Sequence, residues 1–286
     1  GAFALESWHR HYATNRKRPP LAPSPLPVWL RPSQGRVHVP DTAEVEALCR
    51  RFGVVASWAR EAGYDGVQLA GGNVKLLHQF MSPTYNKRHD RFGGSLKGRM
   101  QLIVEIRRCI AEEAGEDFPV LLKMPGFERG LVGTAIDLAT GVEMARIAEQ
   151  AGFDALTPVA THSLPNTAIC RGDFPTNAFE DGPVRRRLLE ATGSRPRLYV
   201  VAAGMWLAAR SFPFEPDWNR EIYAAVKAAV SIPVFAVGGI RTPKQAAEIL
   251  AAGDADLIGV GRPFYAEPAL AARFLAESAA GSEQAT

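Results

Sequence analysis

The sequence of 286 residues contains few cysteines and little net charge, and both shortages narrow the classes of protein it can encode. Its three cysteines, Cys49, Cys109 and Cys170, stand far apart without a CxxC pair, which argues against a metal cluster and a disulfide framework. The 33 basic and 30 acidic residues leave a charge of +3, too balanced to indicate nucleic-acid binding or an anionic membrane surface. The sequence also lacks a membrane-spanning apolar run and a signal peptide, so we expect a cytoplasmic protein.

What the sequence does contain is an alternation of short apolar runs with longer helical patterns. The apolar runs are rich in Val, Leu and Ile, which predicts parallel strands buried on both faces. They cover residues 2–5, 66–69, 119–124, 155–159, 233–237 and 257–260, and residues 197–203 could form a further strand. Alternating strands and helices favour an α/β protein with a parallel sheet, although six strands are two fewer than a closed (β/α)8 barrel needs.

The boundaries of the helical patterns carry their own signals. Asp41, Ser95 and Thr242 are predicted to cap helix N-termini, because their side-chain oxygens can accept hydrogen bonds from the first free backbone N–H groups. One junction between a helix and a strand recurs, with a glycine and an aspartate before each apolar run. It reads "EAGYDGVQL" at 61–69, "EQAGFDALTP" at 149–158 and "AAGDADLIGV" at 251–260, which indicates a repeated β/α unit.

Two successive strand ends, in "IPVFAVGGIRTPKQA" (232–246) and "ADLIGVGRPF" (255–264), carry glycines. Gly238, Gly239 and Gly261 can bring bare backbone N–H groups close to an anion, and Arg262 adds a cation. The alternative is that the glycines only form tight turns and that Arg262 makes a surface ion pair. Because the same chemistry appears at two consecutive strand ends, we favour a phosphate site.

The stretch "AGYDGVQLAGGNVKLLHQFMSPTYNKRHDRFGGSLKGRM" (62–100) resembles the Old Yellow Enzyme family of FMN-dependent oxidoreductases, and residues 82–99 are highly specific to that family. The glycine-bearing strand ends match the family's FMN-phosphate loops, and "FALESWH" (3–9) resembles its third strand. The resemblance therefore implies a (β/α)8 TIM barrel that lacks its first two strands and is truncated at the N-terminus. We expect a single domain over residues 1–280, followed by a disordered tail at 281–286.

The resemblance also implies a cofactor and an activity. In the family, NAD(P)H reduces FMN, which passes hydride to an activated alkene or a related acceptor. The backbone at the two glycine-bearing strand ends, with Arg262, would hold the FMN phosphate. Lys123 stands where the family has an arginine near the flavin ring, although a surface position is an alternative. Glu6 replaces a glutamine that hydrogen-bonds the flavin, and an ionised carboxylate offers no donor there.

The strand end at residue 70 differs most from the family pattern. Where the family has two residues that bind the acceptor oxygen and a tyrosine that donates a proton, this sequence has Ala70, Asn73 and Lys75. Asn73 can still donate an amide N–H, and Lys75 could act as an acid if it faces the flavin. The alternatives are that Asn73 caps the next helix and Lys75 points into solvent. We expect His78 and Gln79 to lie on the polar side of that helix.

Two other functions remain open at this point. One is a divergent or truncated family member without redox activity, and the other is a phosphate-binding lyase or isomerase barrel. In each enzymatic case the partner is a small-molecule substrate, and we expect neither nucleic acid nor membrane binding, while a homo-oligomer remains open. The sequence identifies neither the acceptor nor the preference between NADH and NADPH.

Overall fold

The computed structural model describes residues 21–25, 37–72, 74–130, 133–163, 171–172, 182, 185–186, 189, 194–210 and 212–283. The predicted strand at residues 2–5 lies outside the described residues. The predicted site residues Glu6 and Asn73 also lie outside them. The strands are β1 (Val67–Ala70), β2 (Val120–Arg129), β3 (Thr134–Ile136), β4 (Ala155–His162), β5 (Phe235–Val237) and β6 (Leu257–Gly259). The helices are α1 (Thr42–Glu61), α2 (Leu76–Met81), α3 (Leu96–Ala114), α4 (Leu138–Gln150), α5 (Arg195–Arg210), α6 (Arg220–Lys227), α7 (Pro243–Ala251), α8 (Pro263–Ala266) and α9 (Leu270–Glu283).

The parallel strands follow one another across the molecule in chain order. β2 lies between β1 and β4 and pairs parallel with both, while the short β3 pairs antiparallel with the end of β2. A parallel bridge between Leu156 and Val234 connects β4 to the pair formed by β5 and β6. The predicted parallel α/β organisation is confirmed, but within the described residues the strands do not close into a barrel.

The three repeated junctions have the geometry that their sequence predicts. Their glycines adopt left-handed φ angles, with 84° at Gly63, 86° at Gly152 and 72° at Gly253, which favour glycine because it has no Cβ. The aspartates of the last two junctions also hold the preceding strand. Asp154 Oδ2 accepts a hydrogen bond from Val120 N at 2.7 Å, and Asp256 Oδ2 accepts one from Val234 N at 2.8 Å. Each of these two units is therefore joined to the strand before it.

The predicted helix caps are also confirmed. Asp41 and Thr242 form capping boxes with the residue three positions later, and Ser95 Oγ accepts a hydrogen bond from Gly98 N at 3.1 Å. Before α3, Arg88 Nε donates to Asp90 Oδ1 at 2.9 Å. That hydrogen bond is the main reason why the pKa of Asp90 is lowered to about 2. The family-specific stretch thus forms local architecture that positions α3.

The predicted strand at residues 197–203 is wrong, because this segment belongs to helix α5. Its run of apolar residues resembles a buried strand, yet the side chains of Tyr199 and Val200 are 58% and 73% exposed. Pro196 lies in the first turn of the helix, where a missing backbone N–H costs no intrahelical hydrogen bond. None of the described helices combines the length and the apolar character needed to cross a membrane.

Strand β2 is longer than predicted because it continues through a bulge. Its pairing with β4 shifts register between Pro125 and Phe127. Gly126, at the shift, allows close packing, since a Cβ there would lie 2.3 Å from Ile222 Cγ2. Beyond the bulge, the strand places Glu128 in the buried interior and Arg129 at the exposed end.

Candidate functional site

A cavity of about 770 Å³ lies at the carboxyl ends of the parallel strands. Its lining includes the predicted cofactor-binding residues that the structure describes, together with aromatic side chains from the segment before α6. These predicted residues are Lys123, Gly238, Gly239, Gly261 and Arg262. Positions that are far apart in sequence therefore converge on one space, whose volume lies within the range of small-molecule sites.

The glycines of the cavity are required for different reasons. Gly238 has a φ of 112°, and a Cβ there would lie 2.8 Å from the ring of Trp218. Gly239 has a φ of 82°, and its Cβ would lie 2.6 Å from the backbone N of Asp217. Contacts within the protein and the left-handed backbone therefore explain why glycine is needed at these two positions. A Cβ on Gly261, in contrast, would meet no atom within 4 Å, so its backbone borders open space in the cavity.

Two cationic side chains that are far apart in the sequence border the same cavity. Arg262 is exposed at the start of α8, and its Nη1 donates a hydrogen bond to the carbonyl oxygen of Arg171 at 2.7 Å. Lys123 is half-buried in the middle of β2, where it pairs in register with Ala70 on β1. Lys123 is therefore part of the cavity wall and not a surface lysine at a strand end.

The turn between β1 and α2 is held in an unusual conformation. Asn73 lies outside the described residues, but Val74 beside it has a φ of 55°, which is strained for a β-branched residue. Two side chains of α2 hold this turn. His78 Nδ1 accepts a hydrogen bond from Val74 N at 2.8 Å, and Gln79 Nε2 donates to Val74 O at 3.0 Å. Lys75 directly follows this turn and is the half-buried N-cap residue of α2.

The expectation that His78 and Gln79 lie on a polar helix face is wrong. Both side chains are completely buried, as is every other residue of the six-residue helix α2. A helix of this length, enclosed on all sides, has no solvent-facing side. The two polar residues are buried because they satisfy the backbone groups of the strained turn before them.

Glu128 on β2 organises the polar groups around His78. Its Oε1 accepts hydrogen bonds from Ser82 Oγ at 2.9 Å and Ser163 Oγ at 2.6 Å, and His78 Nε2 lies 3.4 Å from Oε2. Because Nδ1 of His78 already accepts a hydrogen bond, the ring proton belongs on Nε2, facing the carboxylate. Burial raises the pKa of Glu128, but its contacts with His78 and the serines outweigh this and lower it below the ordinary value.

The sequence reasoning missed this buried network. The available signal was an acidic residue in the otherwise apolar segment "VLLKMPGFER", because a buried carboxylate needs hydrogen-bond donors. The donors come from α2 and from the end of β4, so their proximity depends on the tertiary fold. The network joins three elements next to the turn that carries Lys75.

The fold is a parallel α/β arrangement with the candidate site at its strand ends, and sequence comparison identifies the family. A sequence model described as "NADH:flavin oxidoreductase / NADH oxidase family" matches residues 12–157 and 190–279. The chain belongs to this family, the Old Yellow Enzyme family. The family implies FMN as cofactor and NAD(P)H as reductant.

Individual relatives agree with this assignment. The chain is 32% identical over 249 residues to an NADH oxidase of Thermoanaerobacter brockii, covering 87% of this chain and 32% of that protein. It is 30% identical over 254 residues to a multifunctional alkene reductase/demethylase of Caballeronia cordobensis, covering 88% of this chain and 31% of the relative. The solved structure of an Old Yellow Enzyme homologue from Zymomonas mobilis has a TM-score of 0.56 at 18% identity, over 91% of this chain and 61% of that one. The chain thus spans about a third of these curated relatives.

The residues present fit FMN at the phosphate end. Gly261 leaves open space beside its backbone, and the adjacent Arg262 supplies the cation that a phosphate requires. Trp218 and Phe214 add aromatic surface to the lining. The cavity therefore combines an anion-binding end with an apolar wall, as a flavin nucleotide needs.

Proposed function

We propose that this chain forms the flavin site of an FMN-dependent NAD(P)H oxidoreductase that reduces an activated alkene or a related acceptor. The observation that carries the proposal is the convergence of Lys123, Gly261 and Arg262 on one cavity at the strand ends. Family membership and the similarity to an alkene reductase/demethylase support it. FMN, when bound, supplies a ring that exchanges hydride, so NAD(P)H, a proton and the alkene give NAD(P)⁺ and the saturated product.

The protein groups have separate roles in this proposal. The backbone at Gly238, Gly239 and Gly261, with Arg262, binds the phosphate. Lys123 lines the same cavity, where its positive charge would stabilise negative charge on the flavin ring. Lys75 and Asn73 follow β1, where an amide or ammonium N–H can bind the acceptor oxygen or supply a proton.

Glu6 remains part of the proposal as a residue beside the flavin. An ionised carboxylate cannot donate the hydrogen bond that an amide provides, so we expect it to weaken flavin binding. A Glu6→Gln variant should then bind FMN more tightly than the parent chain.

The alternative of a phosphate-binding lyase or isomerase is not supported, because the family match covers most of the chain and describes flavin oxidoreduction. A family member without redox activity makes a different prediction. Such a protein would fold normally and bind FMN poorly or not at all.

The decisive experiment is to purify the full chain with FMN supplied and to record its visible absorption spectrum after gel filtration. We expect bound flavin in the parent chain, less in Arg262→Ala, and an intermediate amount in Arg262→Lys, which keeps the charge. Arg146→Ala is the matched control, because Arg146 lies on the exposed side of α4 and its ion pair with Glu143 is local to that helix. A folded but colourless parent protein would refute the flavoenzyme proposal.

A further inference from the structure

A second cavity adjoins the proposed flavin site. It lies at the carboxyl ends of β2 and β4 and has a volume of about 450 Å³. Arg171 belongs to its lining and links it to the flavin cavity. The guanidinium of Arg171 lies over the ring of Trp218 at 4.4 Å, and Trp218 lines the flavin cavity. The backbone oxygen of Arg171 accepts the hydrogen bond from Arg262, a predicted phosphate ligand.

The described residues that line this second cavity include two arginines, Arg129 and Arg171, and no acidic residue. Arg129 is exposed at the end of β2, and among the described residues its guanidinium has no ion-pair partner. Arg171 faces Glu215 at 3.6 Å, but Glu215 is 63% exposed, so water screens that pair. The Nε of Arg171 is buried, and within the described part of the chain it has no hydrogen-bond partner. Two guanidinium groups thus retain unused donors at one cavity.

Neighbouring titratable groups do not cancel this positive charge. Glu128 is next to Arg129 in sequence, but its carboxylate is buried and engaged with Ser82 and Ser163. Burial and the charge of Arg129 both lower the pKa of His162, against the opposing charge of Glu128. An anion that enters the cavity therefore meets Arg129, and none of the described lining residues offers a competing carboxylate.

The remaining lining favours an organic anion over an inorganic one. Phe127 and Phe212 supply aromatic surface, while Thr134 and Thr161 come from the edges of β3 and β4. A phosphate or sulfate ion has no apolar surface to place against the rings. A small carboxylic acid has an anionic group and an apolar body. Its carboxylate matches the planar donor fork of a guanidinium, and its carbon skeleton can pack on phenylalanine.

We propose that this cavity binds the carboxylate of the acceptor substrate, an unsaturated organic acid, through Arg129 and Arg171. The assignment rests on the proposed function, in which the acceptor lies against the flavin and extends its carboxylate into this adjoining cavity. It narrows the acceptor from activated alkenes in general to those that carry a carboxylate. The body of the acid lies against Phe127 and Phe212.

The test is isothermal titration calorimetry on the full chain with FMN supplied, with trans-cinnamate and its neutral analogue trans-cinnamamide as probes. We expect cinnamate to bind at least tenfold more tightly than cinnamamide, a difference of about 1.4 kcal/mol. Arg129→Gln should weaken cinnamate binding by about tenfold and leave cinnamamide within about twofold. Arg171→Lys keeps the charge but loses the planar fork, and we expect an intermediate loss. Arg146→Gln, a surface change on α4, should alter neither titration.

Each outcome separates this inference from the proposed function. If FMN binds but cinnamate and cinnamamide bind equally, or if Arg129→Gln has no effect, the carboxylate assignment is wrong and the flavin site stands. If inorganic phosphate binds as tightly as cinnamate, the cavity is a simple anion site and the assignment is again overturned. If cinnamate binding depends on Arg129 but FMN does not bind, the cavity recognises carboxylates and the acceptor role fails with the proposed function.

Discussion

The two kinds of glycine at the flavin cavity make the proposed site testable with one chemical change at two positions. Gly238→Ala adds a Cβ that collides with Trp218, at a φ of 112° that disfavours any side chain. We expect a loss of about 1–3 kcal/mol in the free energy of unfolding, because the strain is present whether or not FMN is bound. For a chain of this size that lowers the melting temperature by roughly 2–10 °C.

Gly261→Ala places the same methyl group in open space, with no protein atom within 4 Å. The FMN-free protein should therefore keep its stability, or gain about 0.4–1 kcal/mol because the unfolded chain is less flexible. If the phosphate approaches this backbone, the methyl group separates it from an N–H donor. A hydrogen bond to a charged group contributes about 1.5–3 kcal/mol, so FMN affinity should fall roughly 10- to 100-fold.

Two assays distinguish the two effects: thermal unfolding of the FMN-free protein by circular dichroism, and quenching of flavin fluorescence on titration. Gly261→Ala should change only the titration, whereas Gly238→Ala should change the melting curve. An FMN affinity within twofold of the parent in Gly261→Ala would show that the phosphate does not lie there. A drop in melting temperature as large as that of Gly238→Ala would show that the backbone at Gly261 is packed against protein.

Three further predictions concern the groups that hold the site. Glu128→Gln should lower the free energy of unfolding by about 1–3 kcal/mol in urea titrations, because an amide NH2 cannot replace the carboxylate oxygen that faces His78 Nε2. No loss would mean that the carboxylate beside His78 does not stabilise the fold. Since the folded-state pKa of Glu128 is below its unfolded value of about 4.3, this stability is complete above that pH and disappears as the pH falls through the folded value. The gap between parent and variant should therefore shrink below about pH 4, and a gap that widens would contradict the sign. Asp256→Ala should lose about 1–3 kcal/mol by leaving Val234 N–H without its acceptor, and Asp256→Asn should lose less; equal losses would refute that hydrogen bond.

The parallel strands that the structure describes could be predicted because their signals are local, whereas the short antiparallel strand β3 was not predicted. Each repeated junction contains its own turn glycine, and Asp154 and Asp256 each bond to the strand before their own. The residues at the strand ends then converge through the rule that parallel strands place their carboxyl ends at one edge. The convergence of Gly261 and Arg262 on this edge was predictable in this way, because both directly follow β6, whereas Lys123 was predicted from the family resemblance.

The predicted strand at residues 197–203 failed because a short apolar run does not distinguish a strand from a helix. The run "RLYVVAA" contains two adjacent β-branched valines, yet Pro196 was a helix-start signal beside it. The exposure of Tyr199 and Val200 could not be read from the sequence, since burial depends on which elements pack nearby.

The buried network around His78 shows a different limit. A histidine and a glutamine at the start of a short helix have the same pattern whether they face solvent or close a strained turn. The distinction lies in Glu128, 50 residues later, whose carboxylate needs donors from other elements once the bulge in β2 turns it inward. Polar residues far apart in sequence therefore determine the shape of the turn before Lys75. In the proposed function, the position of Lys75 therefore depends on that turn as well as on the place of Lys75 in the family pattern.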